Sequence, residues 1–477
     1  MKRRIWLGIG LLVAIFVVST LAFTFKGYQD AKHLKDSLNR GDKTAVIQSA
    51  GKVRADLNSL ITLSKLPVVS QIFAALDLNF NEIRPELDSL FGAMPYVAGV
   101  DKPKNYLLAF QNSAEARGTG GILGAYAIIN VDKGNLKITK TGSNASLASL
   151  AEIPVPVTEE FLRLYGKNPA ILQNSNLSPH FPYGAEIWMG LWKRQTGQNL
   201  DGVIAIDPEA LSYVLRATGP IQVDGVTIDS KNIVQETLKD AYKRYETNND
   251  ARKQHLVNLI NATAKNLISG NYSKLEMARA IRDGLKSGRI LFYSKDKNAE
   301  KYLAASRIGG YMSKSANNEY RVVIQNIDAS KLDYYLKRSV KIENLVCKPT
   351  KKSTVYVTVT NTLQSGKGLP AYVLTRADKN KPDNLVTGAH RFKVFIYGPV
   401  GSKIVSAWRE NLKQGIGGQA KERGRPVMVM DLDLKPMQSE KLFVNFEGGV
   451  GKISFVDQPL VIPTELSVKE SCLGSAS

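Results

Sequence analysis

Between Asn105 and Lys137 the chain reads NYLLAFQNSAEARGTGGILGAYAIINVDKGNLK, two apolar runs of strand length held apart by a polar, glycine-dense stretch. The runs Tyr106–Phe110 and Ala125–Val131 predict two strands, and Asp132-Lys133-Gly134 predicts the turn that closes the second. Between them stand Gln111, Asn112, Glu115, Arg117 and Thr119, with glycines at Gly118, Gly120, Gly121 and Gly124. Glycines packed this closely let a backbone adopt positive φ and come near a ligand or another strand. A guanidinium beside such a loop suits recognition of phosphate or carboxylate. The alternative is a wide glycine turn that Glu115 and Arg117 hold together as an ion pair.

With 477 residues the chain has room for two or three domains, each with a core. Its net charge of +21 is spread along the sequence, with basic clusters at Lys102/Lys104, Arg252/Lys253 and Lys421/Arg423/Arg425. Such broad basicity favours anionic surroundings: nucleic acid, anionic lipid or acidic wall polymer. The N-terminus chooses among them. Lys2-Arg3-Arg4 precedes Ile5–Phe25, an uncharged stretch long enough to cross a bilayer as one helix. The positive flank places the N-terminus in the cytoplasm and the rest of the chain outside, a single-pass protein of the cell membrane. A cleaved signal peptide is the alternative, but Thr20-Leu21-Ala22 and Ala22-Phe23-Thr24 are poor cleavage sites. One span argues against a transporter, and an external body argues against nucleic acid as a partner. The only cysteines, Cys347 and Cys472, are expected either to form a disulfide or to stay as two free thiols.

Taken in order, the chain divides into a cytoplasmic tip and anchor (1–26), a helical stalk (27–100), an α/β domain (101–310) and a β-sandwich (320–470). Apolar residues at helical spacing (Val46, Ala50, Val53, Leu57, Leu60, Ile61) mark the stalk, and Asp42 is a good N-cap. In the α/β part, Trp188 and Trp192 share a helix face, and DGVIAIDP (201–208) reads as a buried strand running into a helix that opens on proline. The last third alternates with period two, most cleanly in Thr354–Thr360.

Four histidines occur, His33, His180, His255 and His390, and no GxSxG, HExxH or P-loop accompanies them. Triad and zinc chemistry are thus disfavoured. Oxygen-ligand and arginine chemistry remain, with Glu115, Asp201 and Asp207 as candidate Mg²⁺ ligands and Arg117, Arg252 and Lys253 as anion binders. The plainer reading is that Asp201 and Asp207 cap the ends of a strand and a helix.

Six stretches, YLLAFQNSAEARGTGG (106–121), NSNLSPHFP (174–182), DGVIAIDPEAL (201–211), ATGPIQV (217–223), GRILFYS (288–294) and SKLDYYL (330–336), closely resemble the domain of unknown function 4012 family. That family belongs to exported proteins of actinobacterial envelopes, and it usually has an acid where His180 stands. The order of strand, arginine-bearing turn, strand, DGVIAIDPEALSYVLRATGPIQV and DARKQHLVNLINA is also distantly similar to the LytR-CpsA-Psr family. This second resemblance implies that the α/β (α+β) extracellular domain, which stands between the stalk and the immunoglobulin-like sandwich read from the periodicity, has a LytR-CpsA-Psr-like fold. It also implies a phosphotransferase that moves glycopolymer from a polyprenyl pyrophosphate carrier to the wall. Arg117 and Arg252 would then grip the pyrophosphate with Lys253, Thr119, Gly120 and Gly121, and Glu115 or Asp207 would hold Mg²⁺. The chain departs from the pattern at Gly120, where an aspartate is expected, and at Thr141–Ser146, which lacks proline-arginine-aspartate. The alternative is a non-catalytic envelope scaffold that binds anionic polymer or a partner protein.

Overall fold

The computed structural model describes residues 25–65, 70–71, 74, 77, 80–270, 272–315, 317–346, 351–374, 386–410 and 417–470. The expected span lies outside these residues except for Phe25, and both cysteines lie outside them. Among the described residues no helix is long and apolar enough to cross a membrane.

A mixed sheet of five strands lies at the centre of the first half. Its members are β1 (Lys104–Arg117), β2 (Gly120–Asp132), β3 (Asn135–Ser143), β4 (Gly202–Ile206) and β7 (Leu291–Ser294), in the order β3-β2-β1-β4-β7. A small hairpin, β5 (Ile221–Val223) with β6 (Val226–Ile228), stands apart from it. The strand β1 pairs antiparallel with β2 and parallel with β4. Successive side chains of β1 point to opposite faces, and both faces are covered: Tyr106 packs into one core, Leu107 and Ala109 into another.

The helices Phe25–Arg40, Lys43–Leu63 and Arg84–Val97 cover the first face. Leu34, Leu38, Val46, Val53 and Phe91 share a core with Tyr106, Ile129 and Phe292 of the sheet. The segment read as a stalk is therefore a packed layer here, because its apolar stripe has a sheet face to cover. Asp42 accepts the Ala45 N–H at 3.0 Å, the N-cap that the sequence predicts. Behind the opposite face, helix Phe181–Thr196 buries Trp188 and Trp192. A further core joins Phe110 and Ala125 to the helices Pro208–Thr218 and Asn249–Ser269.

The last third is a sandwich of two five-stranded sheets. One has the order β13-β14-β11-β8-β16, from β8 (Glu319–Asn326), β11 (His390–Tyr397), β13 (Gly418–Glu422), β14 (Arg425–Leu434) and β16 (Ser454–Val456). The other has the order β12-β15-β10-β9-β17, from β9 (Leu336–Val346), β10 (Lys352–Asn361), β12 (Lys403–Arg409), β15 (Ser439–Glu447) and β17 (Glu465–Glu470). Val355, Val357 and Val359 face Val322, Ile324 and Val394 in its core, as the period-two alternation predicts. The sandwich does not stand clear of the first sheet. Ala116 at the end of β1 lies in the sandwich core, and Val323, Phe395, Tyr397 and Val427 lie in the core around Trp188.

Candidate functional site

The polar stretch expected as a loop is mostly strand. The strand β1 continues to Arg117 and β2 starts at Gly120, so only Gly118 and Thr119 turn; the register slips between Phe110 and Gln111 and again between Asn112 and Ala116. The reason lies in the neighbours, since the sandwich and the NSNLSPHFP segment supply hydrogen-bond partners that water would otherwise have to supply. Gln111 accepts from Thr119 Oγ1 at 2.7 Å and from Asn176 Nδ2 at 3.1 Å. Asn176 Nδ2 also donates to the Gly121 carbonyl, and Asn112 Nδ2 donates to the Tyr242 hydroxyl at 2.7 Å. The glycines have a packing cause. A Cβ on Gly118 would lie 2.2 Å from the Leu177 carbonyl oxygen, and one on Gly121 would lie 2.0 Å from that of Asn112.

The open, ligand-facing arginine expected at position 117 is corrected by its burial: only 4% of Arg117 is exposed. All five of its N–H groups are used. Nε donates to the Gln173 carbonyl at 2.8 Å, and Nη1 donates to the carbonyls of Ala116 at 2.8 Å and Asn326 at 3.0 Å. Nη2 donates to Glu115 at 3.1 Å and to Asn174 Oδ1 at 3.2 Å. The other oxygen of Glu115 accepts from Lys331, which is also buried. Burial by itself would lower the Lys331 pKa, but the facing Glu115 carboxylate outweighs it and holds the ammonium above its ordinary value.

The three carboxylates assigned to Mg²⁺ do not converge. Asp201 precedes the five-residue strand β4 and Asp207 follows it, roughly 20 Å apart at a strand's rise per residue. Asp201 accepts the Asn105 N–H at 2.8 Å and lies 3.4 Å from Lys104 Nζ. Asp207 caps helix Pro208–Thr218 through the Ala210 N–H at 2.9 Å and pairs with Arg289, whose other nitrogen donates to the Leu460 carbonyl at 2.7 Å. With Glu115 held by two cations, these residues do not fit a shared divalent ion. Among the described residues no cluster of three His, Cys, Asp or Glu is placed to hold a metal.

Arg252 stacks over Tyr242 at 4.3 Å and donates to Asn249 Oδ1, and Lys253 lies 3.9 Å from Asp250. Tyr372 connects this region to the buried pair, with Arg252 at 5.8 Å and Lys331 at 4.8 Å from its ring. Arg252 therefore comes near Glu115 with Lys331 and two tyrosines between them. His255 is held on both nitrogens, by Asp224 at 2.7 Å and Glu236 at 3.0 Å. His180 Nδ1 accepts the Met312 N–H at 3.2 Å.

Where the helical layer, the first sheet and the sandwich meet there is a cleft of about 790 Å³. Gly118 and Thr119 line it together with Gln458 and Pro459, and Gly120 lies against the Pro459 carbonyl, so the predicted glycine turn reaches the cleft through its tip. Gln458 Nε2 fastens that tip, donating to the carbonyls of Arg117 at 2.6 Å and Ile324 at 2.9 Å. Five cations line the cleft: Lys286, Arg307, Lys314, Arg321 and Arg423. Lys286 lies 2.5 Å from Glu82, Arg307 lies 3.9 Å from Glu86, and Arg321 lies 2.9 Å from Glu319. Lys314 and Arg423 have no salt bridge among the described residues. Sequence reasoning did not single out Lys331, Arg289, Lys314 or Arg423 as functional. Arg423 was visible only as a member of a basic cluster, and Lys331 lay inside the quoted SKLDYYL stretch.

Tyr311, on the cleft wall, also touches an acidic group. Burial pushes the Glu300 carboxyl up from an ordinary 4.5 to about 7; the Ser294 N–H at 2.8 Å opposes this rise and the nearby Glu186 adds to it. A carboxyl whose folded pKa is raised binds its proton more tightly when folded. Its contribution to stability is thus complete below about pH 4.5 and is lost as pH rises through about 7. Glu300→Gln should flatten this loss, measured as urea midpoints between those two pH values; an unchanged pH slope would contradict the assignment.

Residues 101–242 match the model of the family described as "Protein of unknown function (DUF4012)", the family that the motif stretches resemble. No curated protein matches the chain. Among solved structures, the Lin1025 protein of Listeria innocua is 13% identical, over 46% of this chain and 85% of its own, with a TM-score of 0.24. The transcriptional regulator yvhJ of Bacillus subtilis is 12% identical, over 46% of this chain and 84% of its own, with a TM-score of 0.21. Superpositions this loose carry no argument about fold or activity.

Proposed function

We propose that the protein is a non-catalytic binding protein of the cell envelope, held by one N-terminal span, that takes up an anionic polymer in the cleft between its first sheet and its sandwich. The observation that carries this reading is the contrast between two sets of cations. Arg117 and Lys331 are buried and both paired with Glu115, whereas among the described residues Lys314 and Arg423 line an open cleft without a salt bridge. A glycopolymer transferase would need an arginine and a carboxylate facing its ligand, and Arg117, Glu115 and Asp207 already have protein partners. The excess of 21 positive charges supports an anionic ligand, and Lys2-Arg3-Arg4 before Ile5–Phe25 supports the anchor.

The purified full-length chain in detergent should bind poly(glycerol phosphate) saturably, more weakly as salt rises, and should not bind neutral dextran. Equal binding to both polymers, or to neither, would overturn the reading.

A further inference from the structure

We infer that Arg423 and Lys314 form the anion seat of this cleft, gripping an oxyanion group (phosphate or carboxylate) carried on a hydroxyl-rich polymer; the inference rests on the reading that the cleft binds such a polymer. Arg423 comes from the sandwich. It is the first residue of the two-residue turn between β13 and β14, where Glu422 pairs with Arg425, and its φ of 54 is followed by a φ of 75 at Gly424. Such turns favour Asn, Asp or Gly at that first position, because positive φ crowds a Cβ. An arginine there goes against the local preference, and its side chain shows what it reaches. Nε donates to the Met312 carbonyl at 2.7 Å across the domain boundary, and the guanidinium lies 6.0 Å from the Tyr311 ring. That bond holds the guanidinium at the cleft wall through Nε. Among the described residues no acceptor meets its two terminal nitrogens, so a two-point edge is left for an oxyanion.

Lys314, two residues beyond Met312, lines the same cleft and is exposed. The acids nearby are engaged or peripheral: Glu422, beside Arg423 in the chain, is buried and accepts from Ser178, Tyr165 and Tyr397, and Asp457 on the cleft wall accepts from Thr464 and lies 3.5 Å from Arg338. Glu319 is held by Arg321 at 2.9 Å and Arg425 at 3.1 Å, and Glu160 meets the turn only at the Gly424 N–H, at 3.4 Å. Glu300 sits against Tyr311, and burial pushes its carboxyl up to about 7, which weakens its negative charge near neutrality. The local potential is positive: after burial itself, Arg423, Arg321 and Lys314 hold the His180 imidazole well below its ordinary pKa. Ser313, Ser306 and Thr464 line the same cleft; Thr464 Oγ1 already donates to Asp457 at 2.6 Å and Ser306 Oγ to the Leu303 carbonyl at 3.5 Å, so these two can only accept from a polyol or sugar backbone. A cleft of about 790 Å³ bounded by three layers has room for a run of polymer units, more than one small anion needs.

The variants Arg423→Asn and Lys314→Gln test the seat on the full-length chain, with Lys231→Gln as a remote loss of one charge. Arg423→Asn suits the turn better than arginine does, so its melting temperature should hold or rise while the guanidinium is removed. Calorimetric titration with poly(glycerol phosphate) and with polygalacturonate should show affinity lowered about tenfold or more by Arg423→Asn and several-fold by Lys314→Gln, with Lys231→Gln near wild type. The polymer that loses more identifies the oxyanion as phosphate or carboxylate. If both cleft variants bind like Lys231→Gln while wild type binds well, the seat is wrong and the cleft reading stands. If wild type binds neither polymer, both fall together.

Discussion

Arg117→Ala should destabilise the protein by about 3–5 kcal/mol, the cost of breaking a buried charge pair from one side. The substitution leaves Glu115 with Lys331 alone, and it orphans the carbonyls of Gln173 and Asn326 and the Asn174 amide oxygen. These acceptors belong to the segment before helix Phe181–Thr196 and to strand β8, so the loss loosens the first sheet from two neighbours at once. Denaturant unfolding of the variant checks this. A stability within about 0.5 kcal/mol of wild type, the range of an ordinary surface change, would contradict the geometry.

Gly121→Ala should be worse, costing more than about 4 kcal/mol, with loss of soluble folded protein as the expected readout. Its Cβ would lie 2.0 Å from the Asn112 carbonyl oxygen and 2.5 Å from the Ser113 nitrogen, both backbone atoms that cannot move without undoing the pairing of β1 with β2. Gly124 is the internal control. A Cβ there meets its nearest atoms at 3.6 Å, ordinary contact, so Gly124→Ala should fold and keep near-native stability. Equal tolerance at both positions would mean that the glycines serve something other than close packing.

This pair of glycines also illustrates what the sequence could and could not disclose. Glycine density was legible as a need for close approach, but whether the approaching group was a ligand or the chain itself was not. In the structure the approaching atoms are backbone atoms of Leu177, Ser178 and Asn112. Local signals carried over well where period or capping decided them. Val355, Val357 and Val359 are fully buried, and Asp207 accepts the Ala210 N–H as an N-cap. What stayed hidden was contact across long stretches of chain. Lys331 meets Glu115 from 216 residues away, and Gln458 meets Arg117 from 341 residues away. A charged residue in a polar stretch has the same local signature whether it faces water or a second domain. For the same reason the helices before residue 100 read as a stalk from the sequence alone, since an amphipathic stripe does not name the surface it covers.

The central claim is that Arg117 holds the sheet to the sandwich and that polymer binding resides elsewhere in the cleft. It is tested most directly by titrating Arg117→Lys with poly(glycerol phosphate) at a temperature where the variant remains folded, beside its melting curve, at matched salt because screening weakens any charge contact. A lysine cannot supply five donors in a plane, so the melting temperature should fall, while the affinity should stay within about twofold of wild type. An unchanged melting temperature with affinity lowered tenfold or more would contradict the account and return Arg117 to the role of anion binder.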